Sequence, residues 1–175
     1  SCGINKQRLE EIATIAKFLT KRAKKEKFNY LLLGDFNIPN VECDYMKALE
    51  GNGFSIPDAI KEHPTDLGFT NHYDQIAFNL QLTKSMVLFD EKQQKAGAFN
   101  FTKSVYTEDD LPVYKLYFND KNVVGKTDKQ IKNYYLKTFR TFQMSDHLPL
   151  WVELKVDFSD QYLKDLQQEM KRSDK

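Results

Sequence analysis

Residues 28–39 read FNYLLLGDFNIP, and they join a continuous apolar run to an abrupt polar end. The apolar run at residues 30–33 is typical of a β-strand that is buried on both faces. Gly34 and Pro39 then mark the end of the strand and the loop beyond it. A long helical pattern over residues 6–25 precedes this strand. Together they predict a layered α/β architecture and argue against an all-β barrel.

Further helix and strand signals follow in the rest of the chain. Apolar residues alternate at Ile76, Phe78 and Leu80, which predicts a half-buried strand over residues 71–80. Other strands are predicted at 86–89 and 150–156, and helices at 44–50, 56–62, 107–117, 129–139 and 160–171. Because no repeat or long Pro/Gly/Ser linker divides the chain, we interpret residues 1–175 as a single unit.

The composition excludes several classes of protein. With 175 residues, 41% of them hydrophobic and 29% charged, the chain can bury a core and is not typical of a disordered protein. Its longest apolar run is too short to cross a bilayer, so we expect no membrane insertion. The net charge of +1 argues against a whole-protein attraction to nucleic acid and leaves only a local patch possible.

Two cysteines, Cys2 and Cys43, bear on the compartment. So few thiols are typical of a reducing compartment, although the two could form one bridge. We interpret them as small apolar residues, which leaves the localisation open and favours the cytoplasm. The chain begins at Ser1 without a secretory pattern, as a trimmed chain or a fragment would.

Three short polar clusters end or flank the predicted strands. They are Asp35 with Asn37, Tyr73 with Asp74, and Asp146 with His147. Ligands of layered α/β folds collect at strand ends, so these clusters are candidate site residues. Asp35 and Asn37 project to the same face of an extended backbone and could hold a metal-bound water and a phosphate oxygen. The alternative is a turn closed by side-chain-to-backbone hydrogen bonds.

The other two clusters also allow two interpretations each. If a carboxylate orients His147, its ring can stay protonated near neutral pH and donate to an anionic phosphate. The alternative is an ordinary, partly buried histidine at a strand start. Asp74 lies on a strand, where a charge needs a partner, and that partner could equally be a simple salt bridge at a sheet edge.

The segments GDFN (34–37), YDQI (73–76) and SDHLP (145–149) occur in this order. Their combination resembles the endonuclease/exonuclease/phosphatase superfamily. These metal-dependent phosphoesterases include pancreatic-type deoxyribonucleases, abasic-site endonucleases, inositol-polyphosphate phosphatases and sphingomyelinases. The resemblance implies a layered β-sandwich with flanking helices, of which this chain would be the C-terminal portion.

The resemblance also implies a role for each site residue. Asp35 would orient or deprotonate the attacking water, and Asn37 would bind the scissile phosphate. Asp74 would hold the ring of His147, which would donate to a non-bridging phosphate oxygen. Asp146 would lie near the metal, Mg²⁺ or Mn²⁺, or near its bound water. The implied reaction is phosphodiester hydrolysis by in-line attack of an activated water.

The resemblance covers only part of the family's catalytic domain. The N-terminal half of such domains brings a strand-end asparagine, the main metal-binding glutamate and a catalytic histidine, so that glutamate is expected upstream of this chain. This chain alone could therefore be inactive. The sheet face that would meet the other half is expected to be covered by a homodimer or by the missing N-terminal segment.

The substrate is the least determined feature. Residues 115–140 carry seven Lys and Arg against two Asp, a local charge of +5, with aromatic residues interleaved. This pattern could bind a nucleic-acid backbone and stack bases, but an amphipathic helix with its aromatics in the core is favoured. By the family resemblance we expect a nuclease, either endonuclease or exonuclease. The alternatives are a phosphatase acting on inositol or lipid phosphates, and a catalytically incomplete phosphate-binding or interaction module.

Overall fold

The structure is a computed structural model that describes residues 5–81 and 95–154, together with Ser159, residues 162–164 and Gln167. The helices are α1 (Lys6–Glu26), α2 (Asp44–Glu50), α3 (Asp58–Lys61), α4 (Leu111–Tyr114), α5 (Asp128–Tyr134) and α6 (Arg140–Gln143). The strands are β1 (Tyr30–Asp35), β2 (Asp74–Asn79), β3 (Ala96–Ala98) and β4 (Leu150–Val152). They form two antiparallel pairs, β1 with β2 and β3 with β4.

The long helix α1 confirms the predicted helix over residues 6–25. The side chain of Asn5 caps its first turn by accepting from the backbone N–H of Arg8 at 3.2 Å. Lys27, with a φ of 55°, ends the helix in the left-handed conformation. Ile12 and Ala16, one turn apart, are buried in the core, and the helix packs against α2.

Strand β2 is more deeply buried than its alternating pattern predicts. Residues 75–79 are all buried, so the prediction of a half-buried strand is wrong. The reason is cover on two sides, because β2 packs against β4 and also reaches α1. The amide of Asn79 donates to the hydroxyl of Thr20 on α1 at 2.8 Å and to the carbonyl of Gly53 at 2.7 Å. These bonds satisfy a polar side chain inside the core.

Strand β1 is less buried than its apolar run predicts. Residues 30–32 are half-buried, and Leu33 is 60% exposed. The prediction of a strand buried on both faces is therefore wrong. Among the described residues β1 pairs with one strand, β2, and the last three residues of β1, 33–35, are exposed.

The part of the chain that the structure describes contains two small sheets and several helices, and the layered sandwich stays a prediction. The predicted strand at 86–89 and most of the predicted helix at 160–171 lie outside the described residues. The predicted helices at 44–50 and 56–62 correspond to α2 and α3. No helix within the described ranges has both the length and the apolar character that crossing a membrane requires.

Cys43 lies in the core and is disulfide-bonded. The interpretation of Cys43 as only a small apolar residue is therefore wrong, and the argument from two thiols for a reducing compartment does not apply to it. The chain's other cysteine, Cys2, lies outside the described residues.

A second cluster of packed side chains lies in the segment from 101 to 144. Helix α5 continues through a π-helical turn, Tyr135–Phe139, into α6, and short helical turns fill residues 107–117. Six rings contact one another there: Tyr106, Tyr114, Phe118, Tyr134, Tyr135 and Phe139. The favoured expectation, that the aromatic residues of this segment lie in a core, is confirmed for Tyr135 and Phe139, which are buried, and is wrong for Phe142, which is 84% exposed.

Candidate functional site

The ends of β1 and β2 bring two carboxylates together. Their antiparallel register places Asp35 directly opposite Asp74. The ladder continues by one bond, in which the backbone N–H of Phe36 donates to the carbonyl of Tyr73 at 2.8 Å. Like charges that face each other across strands repel, so this pair needs a positive partner.

That partner is His147, which arrives from the loop before β4. Its Nδ1 lies 2.8 Å from the Oδ2 of Asp74, and the two side chains are 28% and 23% exposed. Tyr73 flanks the imidazole, with 5.4 Å between the ring centroids. Among the described residues, no hydrogen bond is recorded for Nε2, which leaves that atom for a ligand.

The surroundings of His147 favour its charged form. Burial acts most strongly on its pKa and lowers it, but the hydrogen bond and the charge of Asp74 raise it. The charges of Asp35 and Asp146 add to this, so the pKa of His147 lies above its ordinary value of 6.5. A protonated His147 offsets the repulsion between the two carboxylates and is a hydrogen-bond donor for an anion.

Thr65 fixes the relative position of His147 and Asp74. Its hydroxyl accepts from the backbone N–H of Asp74 at 3.0 Å. Its carbonyl accepts from the backbone N–H of Leu148 at 2.6 Å, immediately after the histidine. Thr65 is fully buried, so one rigid residue joins the start of β2 to the histidine loop.

The neighbouring turn continues this support. Asp66 and His147 form an isolated antiparallel bridge, and the backbone N–H of Leu67 donates to the carbonyl of Asp146 at 3.0 Å. Sequence reasoning missed both Thr65 and Asp66. The Asp-x-Gly order at residues 66–68 is a turn signal, but no local pattern shows that this turn packs beside a histidine 80 residues further along.

Asp35, Asp74 and His147 form a compact three-residue group. Each offers one side-chain ligand atom, and these atoms all lie within 4.8 Å of one another. Carboxylate oxygens are the protein ligands that Mg²⁺ prefers, and one or two of them, completed by waters and substrate oxygens, are usual. The two carboxylates therefore fit a hard divalent cation, whereas the protonated imidazole fits a phosphate oxygen.

The turn at Asn37 has features of both interpretations of the Asp35 and Asn37 pair, a ligand-binding pair and a hydrogen-bonded turn. Asn37 has a φ of 51°, and its backbone N–H donates to the Oδ1 of Asp35 at 2.7 Å. This is the side-chain-to-backbone turn that was the alternative. This turn uses only one carboxylate oxygen of Asp35, so the other stays available. The side chain of Asn37 is exposed beside the end of β1. A phosphate-binding role for Asn37 stays a prediction.

Asp146 lies outside the three-residue group. Asp146 is exposed, and its backbone carbonyl accepts a hydrogen bond from the backbone N–H of Leu67. Its charge nevertheless acts on His147, which places the carboxylate in the same electrostatic environment. Asp146 as a metal ligand stays a prediction.

An open cleft of about 410 Å³ lies against this group. The polar residues of its lining are Asp74, Gln75, Ser145 and His147. The rest of the lining is mainly apolar and includes Leu33, Ile76, Phe101, Met144, Leu148, Pro149 and Leu150. Low-polarity walls strengthen electrostatic interactions with an anion, so the cleft suits a charged group on a partly apolar ligand.

No protein-family model, curated protein or solved structure matches this chain. The resemblance to the phosphoesterase superfamily therefore depends on the three motifs and stays an expectation.

Proposed function

We propose that this chain is the C-terminal portion of a metal-dependent phosphoesterase that hydrolyses phosphodiester bonds, with nucleic acid as the favoured substrate. The observation that carries the proposal is the convergence of Asp35, Asp74 and His147 from three distant segments into one group, of which Asp74 and His147 line the cleft. A carboxylate can activate a water for attack on phosphorus, and a histidine held by a second carboxylate can donate a hydrogen bond to a phosphate oxygen.

The proposed reaction is an in-line displacement at phosphorus. Asp35 orients a water and accepts its proton as the new P–O bond forms. The bond to the leaving oxygen breaks, and this oxygen departs with the electron pair and takes a proton from solvent. The Nε2 of His147 donates a hydrogen bond to a non-bridging oxygen, and Asp74 holds the ring in place through Nδ1. A Mg²⁺ or Mn²⁺ ion held by the carboxylate of Asp74, through the oxygen that does not hold His147, would supply charge stabilisation for the phosphoryl group, while the available oxygen of Asp35 serves the water.

Hydrolysis assays with matched variants test this proposal. The full chain would be incubated with Mg²⁺ or Mn²⁺ and either supercoiled plasmid or bis(4-nitrophenyl) phosphate. We expect metal-dependent cleavage that falls by at least about 100-fold in Asp35→Ala and in His147→Ala. Asp58→Ala is the control, because that carboxylate is 89% exposed on α3 and should leave the rate unchanged. Equal rates in the Asp35 variant and the unmodified chain would refute the proposal.

A catalytically incomplete phosphate-binding module is the second candidate. It is favoured by the absence of a glutamate from the metal-ligating group found among the described residues. This candidate predicts that phosphate raises the melting temperature while no substrate is hydrolysed, and that His147→Ala abolishes the stabilisation. Metal-dependent hydrolysis by the chain would exclude it.

The proposal includes a partner that covers the exposed C-terminal end of β1, residues 33–35. The exposure of Leu33 supports it, because a large aliphatic side chain at a cleft rim is a common contact for another surface. The partner would be a second copy of the chain or an N-terminal segment of the same protein. Sedimentation equilibrium separates the two, since only the first gives a dimer with this chain alone.

A further inference from the structure

A second cleft, of about 290 Å³, lies in the helical segment before the histidine loop. Its lining consists of three aromatic rings and one amide, from Tyr114, Tyr117, Phe139 and Gln143. This volume is at the lower end of the range for small-molecule pockets, so it suits one planar ring system better than a larger ligand.

This aromatic cleft is close to the candidate site along the chain. Gln143 lines it, and the next residue, Met144, lines the cleft that contains His147. The four Cα-to-Cα steps from Gln143 to His147 can span at most about 14 Å. A ligand with a phosphate at His147 could therefore place a neighbouring ring in the aromatic cleft.

Tyr117 takes no part in the ring contacts of the second cluster of packed side chains. The ring of Tyr114 stacks on that of Tyr106 with centroids 4.5 Å apart, and the rings of Phe118 and Phe139 are 4.6 Å apart. Tyr117 makes no recorded ring pair among the described residues and is 73% exposed. Its ring therefore offers a free face at the edge of an ordered aromatic stack.

The segment that contains half of the cleft's lining residues carries a charge that complements a polyanion. Residues 115–140 carry a local charge of +5. Within this segment Lys132 forms an ion pair with Glu108, while Lys121, Lys126 and Lys129 are exposed on the surface. Exposed lysines attract a phosphate backbone without reading its sequence.

We propose that the aromatic cleft binds an unpaired base of a nucleic-acid substrate, beside the phosphate held at His147. This inference rests on the proposed phosphoesterase function. Tyr117 supplies the exposed stacking face, the buried ring of Phe139 forms part of the cleft wall, and the amide of Gln143 supplies a donor and an acceptor for the edge of the base. A base must leave a duplex to enter the cleft, so the enzyme prefers single-stranded or unpaired substrates.

Binding measured without hydrolysis provides the test. Fluorescence anisotropy in EDTA would compare a labelled single strand, the same strand with abasic sites, and the matching duplex. We expect the single strand to bind more tightly than the other two. Tyr117→Ala should weaken binding to the single strand by roughly 10- to 100-fold, while leaving binding to the abasic strand unchanged.

Two further variants make this result specific. Tyr117→Phe keeps the ring and should restore the binding. Phe18→Ala removes another exposed ring, on α1, and should leave the affinity unchanged, because Phe18 lines neither cleft. Circular dichroism of each variant checks that the helices remain.

Two outcomes would overturn the inference. One is equal affinity for the intact and the abasic strands. The other is loss of binding to anionic lipid vesicles in Tyr117→Ala without any effect on nucleic acid, which would make the exposed rings a lipid contact. Hydrolysis of bis(4-nitrophenyl) phosphate, which has no base, separates this inference from the proposed function. Retained hydrolysis without base preference refutes the inference alone, and base-dependent binding without hydrolysis refutes the phosphoesterase function alone.

Discussion

Replacing Asp66 by alanine should both destabilise the protein and loosen the candidate site. The carboxylate accepts from the backbone N–H groups of Thr70 at 2.7 Å and Asn71 at 2.6 Å. It also accepts longer bonds from the backbone of Gly68 and from the side chains of Thr70 and Asn71. One side chain therefore organises the whole turn between the buried Thr65 and the start of β2.

The magnitude follows from the two short backbone bonds. A hydrogen bond to a charged group contributes about 1.5–3 kcal/mol, and partial exposure of this turn supports the lower figure. Loss of both bonds should therefore cost about 3 kcal/mol of the free energy of unfolding. The longer bonds add little, because their donors can bond to water. For a domain of this size, 3 kcal/mol lowers the melting temperature by roughly 6–12 °C.

Urea unfolding followed by circular dichroism measures this effect. Asp66→Asn keeps an acceptor oxygen without the charge and should lose roughly half as much free energy. Asp58→Ala, which removes an exposed carboxylate, should change the free energy of unfolding by less than about 0.5 kcal/mol. If Asp66→Ala unfolded at the same urea concentration as the unmodified protein, the turn would not depend on the carboxylate and the reasoning would be refuted.

The pH dependence of the same variant provides an independent check. Burial acts most strongly on the pKa of Asp66 and raises it, but hydrogen bonds from Asn71 and Thr70 together bring it below its ordinary value of 3.8. A lowered pKa contributes stability above the ordinary value and loses it as the pH falls through the folded-state value. The stability difference between Asp66→Ala and the unmodified protein should thus be constant between neutral pH and the ordinary pKa, and should shrink below it.

Three other substitutions test separate parts of the structure. Asp74→Asn should lower the pKa of His147 in an NMR titration, because it removes the charge that offsets burial; an unchanged titration would contradict the pair. Gly97→Ala would place a Cβ 2.8 Å from the Nε1 of Trp151 and should cost about 1–3 kcal/mol in urea unfolding, whereas a cost near zero would show that the indole can move aside. Asn37→Gly should preserve stability within about 1 kcal/mol, because glycine accepts a φ of 51°, while hydrolysis falls through loss of the amide. Full activity in that variant would remove Asn37 from the site.

The amino-acid sequence determined the elements whose signals are local. The apolar spacing of α1, the run that becomes β1 and the alternation at β2 each depend on residues a few positions apart, so these elements form where they were predicted. The three motifs likewise identified Asp35, Asp74 and His147 as candidates. Their spacing along the chain could not show the distances between them, which depend on the register of β1 with β2.

Only the tertiary structure decided which surfaces are covered. Residues 75–79 of β2 became buried on both faces, whereas Leu33 of β1 stayed open, because burial depends on neighbours from remote parts of the chain. The support that Thr65 gives to the histidine loop and the aromatic cleft beside Gln143 have the same origin. Periodicity records which residues are apolar, but long-range packing selects which of them meet, and therefore where a ligand can enter.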